Sequence, residues 1–161
     1  MDSLFPLTLR LNGQQVRHEV TQRTTLAEFL RQTAGLTATH IGCEHGVCGA
    51  CTVMVDGRIV RGCLMFALQA EGAEVTTLEG LAQDAAMQAL QKRFHEHNAL
   101  QCGFCTSGML ITARALLEDN PRPSRDQVRE HLSGNYCRCT GYQAIVEATL
   151  GAAGDIEEGA A

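Results

Sequence analysis

Eight cysteines fall in two groups along this chain of 161 residues: Cys43, Cys48, Cys51 and Cys63, then Cys102, Cys105, Cys137 and Cys139. Their spacing constrains the fold more than any other feature, because thiols this dense are usually either oxidised to bridges or bound to metal. The opening MDSLFPLTLRLNG lacks the basic-then-apolar order of a secretory leader, so a reducing cytoplasm is the expected compartment and bridges are disfavoured there. Length points the same way, since a chain of 161 residues can bury a core without disulfide staples. Metal ligation is therefore the leading reading.

Composition narrows the partners. Hydrophobic residues make up 45% and charged residues 19%, enough apolar surface to offset chain entropy, so an ordered fold is expected. Tryptophan is absent, which leaves the core to Leu, Val, Ile, Ala and Met. A formal net charge of -5 repels a phosphate backbone, and no nucleic-acid partner is expected. No stretch approaches the roughly 20 apolar residues of a membrane span.

Hydrophobic period divides the chain near residue 80. Leu7, Leu9 and Leu11 alternate up to Asn12-Gly13, and alternation resumes at Val16, His18 and Val20, which predicts a β-hairpin. Thr24 or Thr25 can cap a helix carrying Leu26, Phe29 and Leu30 on one face, with Gly35 at its end. Cys51–Val55 and Arg58–Val60 flank Asp56-Gly57 as a second hairpin, and Glu74–Leu78 reads as another strand.

Residues 1–80 thus form a small sheet with one helix, and 81–161 read as helical. Met87, Leu90, Gln91 and Phe94 mark the first helix of that half; Met109, Leu110, Ala113, Leu116 and Leu117 mark the second, which Asn120-Pro121-Arg122-Pro123 ends. Ser124 and Gln127 form a capping box for the third helix, with Val128 and Leu132, and Thr140 can cap a fourth containing Ile145, Val146 and Leu150. From Gly151 the acidic, Ala- and Gly-rich tail shows no packing face and is expected to fray or to dock on a partner.

The first group reads C-x4-C-x2-C-x11-C, whose first three positions match plant-type [2Fe-2S] spacing. Gly42, Gly46 and Gly49 are expected to give the loop positive φ and bring backbone N–H groups close to the cluster. Four-cysteine zinc is the rival, although it usually takes two short knuckles. A Rieske centre through His45 fails on ligand count, leaving His45 a polar loop residue. The second group, C-x2-C and C-x-C, places each pair before a helix, where free N–H groups and the helix dipole favour an anionic centre. Zinc stays open for this group as well; a thioredoxin-like redox pair does not fit between two helices.

Three runs carry a family resemblance over most of the chain: Gly42–Thr52 (GCEHGVCGACT), Gln101–Thr106 (QCGFCT) and Gly134–Tyr142 (GNYCRCTGY). Together they resemble the iron-sulfur small subunits of molybdenum hydroxylases, the xanthine dehydrogenase family. The look is nearest to small subunits of N-heteroaromatic hydroxylases and of carbon monoxide dehydrogenases, and nearer the former. Ser107 departs from the proline that many members carry there.

The resemblance implies an α+β chain: an N-terminal β-grasp, plant-ferredoxin-like domain followed by a four-helix [2Fe-2S]-binding domain. It implies two [2Fe-2S] clusters, one on Cys43, Cys48, Cys51 and Cys63 and one on Cys102, Cys105, Cys137 and Cys139. It also implies a large molybdopterin-binding subunit, a medium FAD-binding subunit, and electron flow from molybdenum through both clusters to flavin or another acceptor. Gln101 and Cys139 would lie near the pterin, Gln101 having a local capping role as its plainer reading. No residue is expected to be a catalytic base.

A free-standing two-cluster ferredoxin is the alternative function, and a zinc-stabilised interaction module a third. His95, His97 and His131 are expected to face solvent or to be hydrogen-bonded. Arg138, between two ligands, is expected either to stabilise a reduced cluster or to form a surface ion pair.

Overall fold

A computed structural model describes residues 3–160, with side chains through Ile156 in the last helix. Alternation builds β1 (Leu4–Leu11), which buries Leu7, Leu9 and Leu11. Asn12 and Gly13 then take φ of 51° and 81°, the pair of left-handed residues that suits the twist of a two-residue hairpin. The chain returns as β2 (Gln14–Thr21), antiparallel to β1. β3 (Thr52–Val55) and β4 (Arg58–Arg61) repeat the device around Asp56 and Gly57, at 48° and 76°. β5 (Glu74–Thr76) inserts parallel to β1 and antiparallel to β3, giving the order β2-β1-β5-β3-β4.

Thr25 and Glu28 close a capping box: Glu28 N–H donates to Thr25 Oγ1 at 3.2 Å, and Thr25 N–H donates to Glu28 Oε2 at 2.8 Å. From it an α-helical turn (Leu26–Glu28) runs into a π-helical turn (Phe29–Thr33), together α1. Leu26, Phe29 and Leu30 are fully buried in one cluster with Leu7, Leu9, Val53 and Val75. Each such side chain removed from water contributes about 2 kcal/mol, which fixes α1 on the sheet.

The second half holds α2 (Ala85–Glu96), α3 (Thr106–Asp119), α4 (Arg125–Leu132) and α5 (Gln143–Ala160). α2 and α4 each pack against both α3 and α5, closing a ring. Met87, Leu90, Phe94, Met109, Ile111, Val128, Leu132 and Ile145 fill its core. Met54 of β3 and Ile59 of β4 join that same core, so α3 lies directly on the β3–β4 hairpin. Among the described residues no helix is long and apolar enough to cross a membrane.

Two sequence expectations are corrected. The stretch from Gly151 is neither frayed nor without a packing face: α5 continues through it to Ala160, burying Ala152 and Ala153 against the helical core, and Asp155 pairs with Arg93. Small side chains carry the contact, and they leave little hydrophobic signal in a sequence. Nor does Thr140 cap this helix, which begins at Gln143; its hydroxyl donates to Cys137 Sγ at 3.1 Å and accepts the Tyr142 N–H at 3.2 Å.

Asp84 joins two helices. It caps α2 by accepting the Met87 N–H at 2.8 Å, and it takes Arg114 of α3 through Nε at 2.9 Å and Nη2 at 3.1 Å. Partial burial works against its charge, but Arg114 and the backbone donors prevail and hold the carboxyl below its ordinary value. A depressed carboxyl stabilises the fold above the unfolded value and loses that contribution as pH falls through the folded one. Asp84→Ala should therefore cost about 1–2 kcal/mol at neutral pH, the scale of a lost cap. In paired melting curves the gap between wild type and variant should shrink below about pH 4; a gap independent of pH would refute the charge-based account.

Candidate metal centres

The first group sits on the loop between α1 and β3, with Cys63 just beyond β4. Cys51 and Cys63 are buried, Cys43 and Cys48 half-buried, and all are free thiols. They associate in twos through the backbone, Cys48 with Cys43 and Cys63 with Cys51. Backbone donors reach in, the Cys48 N–H to Cys43 Sγ and the Cys63 N–H to Cys51 Sγ, each at 3.4 Å. That donation, from Cys48 first and His45 next, lowers the Cys43 thiol to about 6, whereas burial pushes Cys51 up to about 11.

Gly46 and Gly49 take positive φ as expected, 83° and 74°, but Gly42 is outside that region. Its role is spatial, since a Cβ there would stand 3.1 Å from Cys48 Sγ. His45 is exposed and contacts the Cys43 carbonyl through Nδ1, consistent with a polar loop residue.

In the second group Cys105 is the N-cap of α3, and Cys137 and Cys139 lie on the loop before α5. The two loops meet: Cys102 Sγ and Cys139 Sγ are 3.6 Å apart. Two thiolates about 2.3 Å from one tetrahedral metal stand about 3.8 Å apart, so this spacing suits ligands on one ion and is far beyond a disulfide bond. Burial raises Cys105 to about 12. Cys137 is also penalised by burial, yet the Thr140 hydroxyl and N–H hold it below the ordinary thiol value.

No three Cys, His, Asp or Glu side chains among the described residues converge on a single ion position. The contacts instead join Cys43 with Cys48, Cys51 with Cys63 and Cys102 with Cys139, and four soft thiolates in each group are the donor set that two irons require. The residues therefore fit [2Fe-2S] groups, and filling either site would release the protons its thiols carry.

Gln101 is exposed and donates through Nε2 to the Cys139 carbonyl at 3.1 Å, tying the two loops together. Cys102 and Cys139 are exposed, as are Leu100, Phe104 and Tyr136 around them. Arg138 is exposed with no ion pair among the described contacts. His95 and His97 are exposed, whereas His131 departs from expectation, its Nε2 being buried without a hydrogen-bond partner. Ser107 is buried in the first turn of α3, and its hydroxyl likewise lacks a partner.

Residues to which the motifs gave no role of their own join the two groups. The Tyr136 N–H, beside Cys137, donates to the Cys48 carbonyl at 2.8 Å. His40 stacks on Phe104, ring centroids 4.7 Å apart, and its Nδ1 meets the Phe104 carbonyl at 2.9 Å. Buried Asn135 and Thr112 and half-buried Arg61 form a polar cluster between the loops. Asn135 lies in the Gly134–Tyr142 run, whereas only the nearness of Arg61 to Cys63 hinted at its part.

Residues 9–87 match the family described as "2Fe-2S iron-sulfur cluster binding domain", and residues 77–150 the family described as "[2Fe-2S] binding domain". The nicotine 6-hydroxylase small subunit of Paenarthrobacter nicotinovorans is 52% identical over 150 residues, covering 93% of this chain and 90% of the relative. Subunit gamma of caffeine dehydrogenase from Pseudomonas sp. (strain CBB1) is also 52% identical, over 88% of this chain and 87% of its own. A chain of quinoline 2-oxidoreductase from Pseudomonas putida 86 superposes with a TM-score of 0.91 at 51% identity, covering 97% of this chain and 98% of that one. Aldehyde oxidoreductase from Desulfovibrio gigas gives 0.87 at 39% identity over 96% of this chain, which spans 17% of that larger polypeptide.

Proposed function

We propose, from the fact that this chain belongs to the iron-sulfur small subunits of molybdenum hydroxylases, that it carries electrons from a molybdopterin site to a flavin or other acceptor. When bound, its two [2Fe-2S] clusters supply one-electron carriers. Cys43, Cys48, Cys51 and Cys63 hold the acceptor-side cluster, and Cys102, Cys105, Cys137 and Cys139 hold the molybdenum-side one. The chain contributes no catalytic acid or base; its work is to ligate, space and partly desolvate the two centres.

The observation that carries this reading is the junction of the two thiol quartets. One backbone hydrogen bond, Tyr136 N–H to Cys48 carbonyl, links a ligand of the first group to the neighbour of a ligand of the second. The second group opens at the surface through Cys102 and Cys139, where a partner can seat. Gln101 and Cys139 face the pterin in this reading, with the large molybdopterin-binding subunit covering the exposed Leu100 and Tyr136. A medium FAD-binding subunit takes the electrons, and the complex works in the cytoplasm.

The complex oxidises an N-heteroaromatic compound. Supporting this, relatives named for nicotine, caffeine and quinoline are 51–52% identical to this chain, against 39–42% for aldehyde oxidoreductases.

Purification from the native source is the test. Molybdenum and flavin subunits should co-purify at a constant ratio, and the complex should turn over pyridine- or purine-type rings faster than aldehydes. A monomeric holoprotein free of both subunits would establish the free ferredoxin instead, and a colourless zinc protein would refute electron transfer altogether.

A further inference from the structure

Asn135 is 1% exposed, yet its amide bonds across the boundary between the two halves. Its Nδ2 donates to the Gly49 carbonyl at 3.2 Å, and its Oδ1 accepts from Arg61 Nη2 and from Thr112 Oγ1, both at 3.2 Å. The same Arg61 nitrogen donates to the Gly134 carbonyl at 2.7 Å, while Nη1 reaches Thr52 Oγ1. Gly49 follows Cys48, Arg61 precedes Cys63 by two residues, and Asn135 precedes Cys137 by two. Every partner on the sheet side thus lies in or beside the first cysteine group, and every partner on the helical side lies beside the second or in α3.

Space confirms how tightly this junction is built. A Cβ on Gly49 would stand 2.7 Å from Asn135 Cγ and 2.8 Å from the Gly134 carbonyl, and one on Gly134 would stand 2.8 Å from Arg61 Nη2. A buried amide satisfied within one loop would only stabilise that loop. Here removing it strips the Gly49 carbonyl of its donor from the helical side and leaves Arg61 only the Gly134 carbonyl there, so the two loops lose most of their common reference.

Resting on the ligand reading above, we infer that Asn135 and Arg61 are positioning residues that set the separation and coupling of the two clusters. They hold the Tyr136 N–H against the Cys48 carbonyl and do not themselves ligate metal.

The test uses the purified native complex, reduced with dithionite and observed by low-temperature electron paramagnetic resonance. Dipolar coupling between reduced clusters falls with the cube of their distance, so a small displacement registers as reduced splitting. Asn135→Leu and Arg61→Met should both narrow or abolish the intercluster splitting while iron content and the integrated intensity of both signals stay at wild-type values. Arg61→Lys keeps the charge but lacks the guanidinium fork, and it should give the same loss in milder form, which covers a poorly folding Asn135→Leu. Unchanged splitting in Arg61→Met and Arg61→Lys with both clusters loaded would overturn the inference alone. Absence of two signals in the unsubstituted complex would overturn the ligand reading and this inference with it.

Discussion

Cys48→Ser should abolish one of the two reduced-cluster signals, cut the iron bound by about half, since each [2Fe-2S] centre holds half of it, and leave the other signal at full intensity. Serine offers a harder oxygen in place of a soft thiolate and is the poorer ligand for iron in this setting. The loss stays local for structural reasons. The second quartet's cysteines lie on the loops before α3 and α5, and the core beneath them, with Met109, Ile111, Leu132 and Ile145, does not involve the first loop.

Substitution also keeps the Cys48 backbone, so its carbonyl can still receive the Tyr136 N–H. The helical half should therefore keep its cluster and its place. Electron delivery to the natural acceptor should collapse, while reduction of the remaining cluster by substrate should persist if that cluster is the molybdenum-side one. Both signals at full intensity would rule out Cys48 as a ligand; loss of both would show that the halves do not assemble independently.

Much of this architecture is legible in the sequence because local chemistry and tertiary contacts agree. Asn12-Gly13 and Asp56-Gly57 favour the consecutive left-handed residues that suit a two-residue hairpin turn, and both hairpins are present. The Ser124–Gln127 box opens α4 as its spacing predicts. The cysteine spacing points to both quartets and to the family, because ligand geometry tolerates few alternatives. Legibility fails where the signal is small or non-local. The buried face of α5 includes Ala148, Ala152 and Ala153, whose periodicity a hydrophobic pattern barely registers. Gly42 reads as a backbone device along the chain, whereas its neighbour in space, Cys48 Sγ, requires its lack of a side chain. Asn135 and Arg61 belong to no spacing rule, because their partners across the junction lie more than seventy residues away along the chain.

Gly108→Ala should be among the most damaging single substitutions, although the general rule for a helix interior points the other way. Alanine is favoured over glycine there by about 1 kcal/mol. Gly108 lies in the first turn of α3, however, and a Cβ on it would stand 2.2 Å from the Gly49 carbonyl oxygen. That oxygen cannot retreat easily: it accepts the Thr52 N–H at 3.2 Å, the Thr52 hydroxyl at 2.6 Å and the Asn135 amide at 3.2 Å. The helix must move away from the first cysteine loop instead, at a cost of about 3 kcal/mol for overpacking against backbone, which outweighs the helical gain. Gly154→Ala is the matched control. Gly154 is an exposed glycine of α5, and a Cβ added to it would meet nothing within 4 Å, so the substitution should gain up to about 1 kcal/mol. Urea unfolding of the two holoproteins should move in opposite directions, and equal stabilisation by both would show that α3 does not seat on the first loop as closely as the structure places it.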